Sequence, residues 1–153
     1  MKKSSTIFLR VVIYFISLAV AGLCAILIGV GIFGNAGMFL PLMLGMLVAA
    51  VPFFFALYQV FLLLSYIDKN NAFSELSVKA IKKIKYSAGA ISVLYALMMP
   101  YIIYVSDKGD APGGVIIGLI LIFAPFVIAV FVAVLERLLQ NAIDIKSEND
   151  LTV

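Results

Sequence analysis

Residues 11–67 hold no charged side chain, and Arg10 and Asp68 bound the run. Roughly 18 to 20 apolar residues are enough to suggest one membrane helix, so this stretch has room for two. It cannot be the core of a soluble domain. Of 153 residues, 65% are hydrophobic and 12% charged, against about 45–50% and about 25% in ordinary soluble domains. A soluble chain of this length could not cover so much apolar surface. The sequence therefore specifies an integral membrane protein.

The pattern repeats downstream, where residues 86–105 and 113–135 are again uncharged. Four spans are expected, at about 11–33, 38–66, 86–105 and 113–135, forming an all-α membrane four-helix bundle in a single domain over residues 1–153. Gly34-Asn35-Ala36-Gly37 is a short uncharged turn, which makes spans 1 and 2 a tight antiparallel hairpin. Span 2 would be about 45 Å long as a helix against a hydrocarbon core of about 30 Å. It must tilt, or its last turns over 61–67 must emerge. Pro52 is expected to kink it.

Small residues mark two of the spans. Ser17, Ala21, Ala25 and Gly29 recur every four positions in span 1, as do Ala88, Ser92, Ala96 and Pro100 in span 3. Each set reads as one face on which another helix of the same chain packs closely. Span 4 opens on Gly114-xxx-Gly118 and carries Pro125 at mid-depth.

The start of the chain resembles a processing signal in two respects. Ala19-Val20-Ala21 has the small-x-small form of a cleavage site, and Leu-Ala-Val-Ala-Gly-Leu precedes Cys24 as in a lipoprotein box. Leu23 is too large for the residue before a lipidated cysteine, and the apolar run continues to Phe33. Retention as a membrane helix is expected.

Residues 68–85 are the one substantial polar interruption. Asp68-Lys69-Asn70-Asn71 reads as a turn, and Ser74 is placed to cap a helix with Glu75 in its first turn. Phe73 and Val78 have the spacing of a hydrophobic staple. Leu76, Ala80, Ile81 and Ile84 form one face, and Lys79, Lys82, Lys83 and Lys85 the other. This is an amphipathic connector helix of the kind that lies along a membrane surface. Its lysines are candidate contacts for anionic lipid headgroups or for a partner protein, and equally they could simply set topology. A further apolar stripe, Leu135, Leu138, Leu139, Ala142 and Ile143, extends span 4 into a tail over 136–153. The tail is expected to fray from Lys146. Its acids Asp144, Glu148 and Asp150 should bring it against the connector, with Leu138, Leu139 and Ile143 supplying the apolar contact.

With four spans, one side of the membrane receives both termini and the connector. That side holds ten of the eleven basic residues, and Lys108 stands alone on the other. The bias places both termini and the connector in the cytoplasm of a plasma membrane.

Chemistry is sparse. No ionisable acid or base lies within the spans, where ion-coupled transporters and proton pumps place theirs. There is no histidine and a single cysteine, which removes most soft-metal sites. No phosphate loop, metal cluster or nucleophile–base set is present, so neither catalysis nor a cofactor is expected. Direct nucleic-acid binding is not expected either, because the lysines sit between membrane spans. Gln59 is the most polar side chain within a span and a candidate for an interhelical hydrogen bond. Tyr58, Ser92 and Tyr95 are the other polar groups at depth.

Asn-Asn-Ala-Phe-Ser-Glu-Leu at 70–76, Lys-x-x-Lys-Lys-Ile-Lys at 79–85 and the acidic ending at 148–153 together resemble a bacterial domain-of-unknown-function family of small four-span membrane proteins. The similarity covers essentially the whole chain. It implies a possible cytoplasmic partner, because members of the family are often encoded beside a small helix-turn-helix transcriptional regulator. The expected function is a membrane-embedded regulatory or sensory protein that docks a soluble partner. The alternative is a small transporter, permease component or immunity-type membrane protein. An oligomer is compatible with either.

Overall fold

The computed structural model describes residues 3–35 and 37–152, with side chains over 5–35 and 37–151. Lys2, Ala36, Val153 and the side chain of Lys3 lie outside the described residues. The elements are α1 (Lys3–Phe33), a single 3-10 turn (Gly37–Phe39), α2 (Leu40–Asp68), α3 (Glu75–Lys108) and α4 (Gly113–Thr152). All four α-helices are long and apolar enough to cross a membrane. The chain is a multi-pass membrane protein built as an all-α bundle.

The ends of the helices follow from local chemistry. Gly34 donates its N–H to Val30 at 2.9 Å, and Gly37 takes a positive φ of 56° that costs a residue without Cβ little. Pro41 sits in the first turn of α2, where no partner is lost by its missing N–H. Asn70, at φ 61°, turns the chain out of α2 in the left-handed region that asparagine tolerates. Asn71 then donates back to the Tyr66 carbonyl at 2.7 Å. Ser74 caps α3, its hydroxyl oxygen accepting the Ser77 N–H at 3.4 Å, and Glu75 occupies the first turn.

α3 runs unbroken from Glu75 to Lys108. The connector helix is therefore the beginning of span 3, not a separate element along the membrane surface, because neither glycine nor proline separates residues 76–88. Its 34 residues extend about 51 Å, and the 40 of α4 about 60 Å. The tail stays helical through Thr152 instead of fraying. Both helices overrun a hydrocarbon core of about 30 Å, so the lysine-bearing start of α3 and the end of α4 stand out of it as a two-helix stem.

α3 is the central helix, packed against α2 on one side and α4 on the other, while α1 packs on α2. The buried face of α3 includes Ser77, Ala80, Ala88, Ser92, Tyr95, Ile102 and Ser106, close to the 3.5-residue spacing of left-handed helix pairs. This corrects two expectations. Ala96 and Pro100 are exposed, as are Ala21 and Ala25 on α1. Residues four apart drift by about 40° per step around a helix, so a strict every-fourth stripe leaves the contact face within two or three steps. Leu76 is likewise exposed, and Ser77 takes its place inside.

The glycines of span 4 do pack within the chain. A Cβ on Gly114 would collide with the Ser106 side chain, and one on Gly118 would come within 2.9 Å of Met99 Sδ and 3.2 Å of Ile102 Cγ2. On the other side of α3, Gly45 of α2 makes room for Met98. Two hydrogen bonds reinforce this packing. Ser92 donates to the Ile122 carbonyl at 2.8 Å, and Tyr101 donates to the Met38 carbonyl at 2.5 Å. The large apolar side chains left outward, such as Phe15, Leu18, Val127 and Phe131, form the surface that lipid covers.

Candidate functional site

The stem at the basic end carries the groups that sequence reasoning singled out. Lys79, Lys82 and Lys83 are exposed on one face of α3, at i, i+3 and i+4. Lys85 is not free with them. Its ammonium meets Glu136 Oε2 of α4 at 2.6 Å and lies 5.0 Å from the Tyr86 ring centroid. The four lysines thus divide into three available and one engaged. Exposed apolar side chains flank the three, with Phe73 58% and Leu76 50% exposed at the tip and Tyr86 towards the bilayer. Val78, the other member of the expected staple, is buried.

Only the first turns of the tail pair with the connector, through Glu136 and Gln140, and Leu138, expected to supply apolar contact, is instead 59% exposed. Gln140 Nε2 donates to Glu75 Oε1 at 3.3 Å and to Asp144 Oδ1 at 3.2 Å. Val78 and Lys85 of α3, with Val134, Arg137, Gln140 and Asn141 of α4, border an open groove of about 900 Å³ on this stem.

A second polar cluster, which the sequence reading missed, fastens α1 to α2 at the same end. One Nη of Arg10 donates to Asp68 Oδ2 at 2.9 Å and to Ser65 Oγ at 3.2 Å. The guanidinium carbon lies 4.8 Å from the Phe61 centroid. Phe61, Ser65 and Asp68 are spaced i, i+4 and i+7 on one face of α2, and the packing of α1 on α2 brings Arg10 to that level. The signal was present in the hairpin arithmetic. Arg10 Nε is buried without a hydrogen-bond partner, so this guanidinium is incompletely satisfied.

Within the membrane, Gln59 is 3% exposed, and among the described residues its amide makes no hydrogen bond to another helix. Ser92 is engaged with Ile122, and Tyr58 faces outward. Tyr95 is buried. Among the described residues no group of three or more His, Cys, Asp or Glu side chains is placed to hold a metal ion.

Comparison with known proteins agrees with this architecture. The family model described as a protein of unknown function, DUF2975, matches residues 34–153. The chain is 51% identical to the uncharacterized membrane protein YoaS of Bacillus subtilis (strain 168) over 160 residues, covering all of both chains. No solved structure matches. With the family model spanning the last three helices and the relative spanning all four, the chain belongs to the DUF2975 family of membrane proteins.

Proposed function

We propose that this chain is a membrane-embedded regulatory or sensory protein whose stem lies in the cytoplasm and docks a soluble partner. The orientation rests on the concentration of lysine and arginine at the stem end. The observation that carries the docking reading is the pairing of exposed Phe73 and Leu76 with Lys79, Lys82 and Lys83 at the far tip of an unbroken helix. A connector lying flat would bury Leu76 in lipid. One rising in line with span 3 holds it about 15 Å beyond Tyr86, where only a protein can cover it.

The partner that the family resemblance implies is a small helix-turn-helix transcriptional regulator. Its matching surface would be acidic with an apolar centre, since rim charges mainly steer association while buried apolar anchors carry affinity. No enzymatic step is part of this proposal.

The test is co-purification of the regulator with the intact protein in mild detergent, compared with Lys79→Glu/Lys82→Glu/Lys83→Glu and with Leu76→Ser. Both variants should lose the regulator while the membrane protein remains folded. Recovery that is equal in all three would overturn the proposal, as would capture that depends only on anionic lipid content.

A further inference from the structure

Two cavities run end to end through the membrane-spanning part of the bundle. The first, of about 280 Å³, lies at mid-depth, with Cys24 of α1, Ala50 of α2 and Ala124 of α4 on its walls. The second, of about 320 Å³, continues between α2, α3 and α4 towards the Lys108 end. Met46, Tyr95 and Leu121 border both. Apart from Tyr95 and Ser106, the two cavities are lined by apolar residues and glycine.

The first cavity also has a side door. α1 packs on α2, whereas α1 and α4 both border the cavity without substantial packing between them. In a bilayer that seam opens sideways into hydrocarbon, not into water. Small residues on the facing walls, Ala50 and Ala124, leave the space that larger side chains would have filled.

Tyr95 indicates what the space is for. It is 8% exposed, and among the described residues its hydroxyl has no hydrogen-bond partner. Among the described residues Arg10 Nε is the one unpartnered side-chain polar atom that protein atoms seal completely, so the Tyr95 hydroxyl keeps open space beside it, and in a bilayer a hydroxyl without a partner is costly where water does not reach. Ser92, one turn earlier on α3, avoids that cost through the Ile122 carbonyl. Tyr95 stands where the two cavities meet and lacks any such acceptor.

We infer that the paired cavities bind a membrane-dissolved lipophile that bears a carbonyl oxygen, entering between α1 and α4 and accepting a hydrogen bond from Tyr95. Pockets that hold such ligands are commonly a few hundred Å³ in volume, mostly apolar, with a small number of placed polar groups. Two sources offer this chemistry, the ring carbonyl of a quinone with an alkyl tail and the carbonyl of an acyl ester. The depth of Tyr95, about 13.5 Å along α3 from Tyr86, separates it from the ester carbonyls of ordinary phospholipids at the interface.

Cys24 is the only cysteine and borders the first cavity, so its alkylation reports occupancy. The intact protein in nanodiscs would be treated with a lipid-soluble maleimide, alone and with methyl palmitate or a decyl-benzoquinone whose ring is fully substituted and so does not add the thiol. The inference expects one probe to slow alkylation at least several-fold, with the protection lost in Tyr95→Phe. The probe that protects identifies the source. Ala124→Phe, which fills the cavity from another helix, should slow alkylation without any probe. Unchanged alkylation with both probes would overturn the inference, and equal protection of Tyr95→Phe would overturn the role given to its hydroxyl.

Discussion

Lys85 and Glu136 face each other across α3 and α4 at 2.6 Å, with side chains 24% and 18% exposed. They sit where the two helices pass from apolar sequence into the stem. An ion pair this far out of solvent is worth more broken than made, because removing one partner strands the other. Glu136→Ala or Lys85→Ala is expected to cost about 1–2 kcal/mol, between the values typical of exposed and of buried pairs. Thermal unfolding in detergent should show it, and the double variant should cost less than the sum of the singles. Additive losses would show that the two residues act separately.

The glycines separate close packing from open space. Gly118→Ala places a methyl against Met99 Sδ and the branched Ile102, and overpacking of this kind typically costs about 1–3 kcal/mol. Gly22 and Gly29 have nothing within 4 Å of the added Cβ. Alanine there is expected to be neutral or mildly stabilising through its better helix propensity. Gly45→Ala should fall between them, since its neighbour is the flexible end of Met98. Melting temperatures of the four variants should rank in that order, with Gly118→Ala lowest.

Four spans, their approximate limits and the Ser74 cap were legible because hydrophobic runs and capping residues act locally. Pairing between helices is not local, yet part of it followed from hairpin geometry. Residue numbers facing each other across an antiparallel turn have a nearly constant sum, which brings Ser106 to Gly114, Ile102 to Gly118 and Lys85 to Glu136. The same arithmetic brings Arg10 to Phe61. What misled was spacing. An every-fourth stripe reads as a face, although it winds about 40° per step, and so Ala21, Ala25, Ala96 and Pro100 lie outside the contacts that their spacing suggests. The continuity of α3 was hidden for a different reason. A rise in polarity at Lys85 reads as the end of a span, but charge does not end a helix, and only a breaker would have.

Ser92 and Gln59 are both polar and both buried, and they should respond oppositely to apolar replacement. Ser92→Ala removes the bond to the Ile122 carbonyl, and interhelical bonds of this kind in membranes average about 0.6 kcal/mol. Gln59 makes no hydrogen bond to another helix among the described residues, so Gln59→Leu gives up no such bond and replaces an amide by an apolar side chain in a buried position. That change is expected to be neutral or stabilising. Unfolding of both variants under matched detergent conditions checks the contrast. A marked loss of stability in Gln59→Leu would show that the amide is satisfied within the bilayer after all.

Arg10 should control whether α1 stays attached to the bundle. α1 packs on α2, and the residues bordering its middle face a cavity instead of a filled interface. The attachment therefore leans on the end where Arg10 meets Asp68 and Ser65 and lies over Phe61. The Arg10 and Asp68 side chains are 29% and 27% exposed, which places the pair above a solvated surface bridge and below a fully buried one. Arg10→Ala is expected to cost about 1–2 kcal/mol, including the stacked ring contact. The structural consequence is more diagnostic than the energy. Spin labels on Leu18 and Val51, two exposed residues of α1 and α2, in a Cys24→Ala background should give a narrow distance distribution that broadens on Arg10→Ala and on Asp68→Ala alike. Combining the two should broaden it no further, since either one already breaks the pair. An unchanged distribution in Arg10→Ala would mean that apolar contact below, around Ile13, suffices to hold α1 in place.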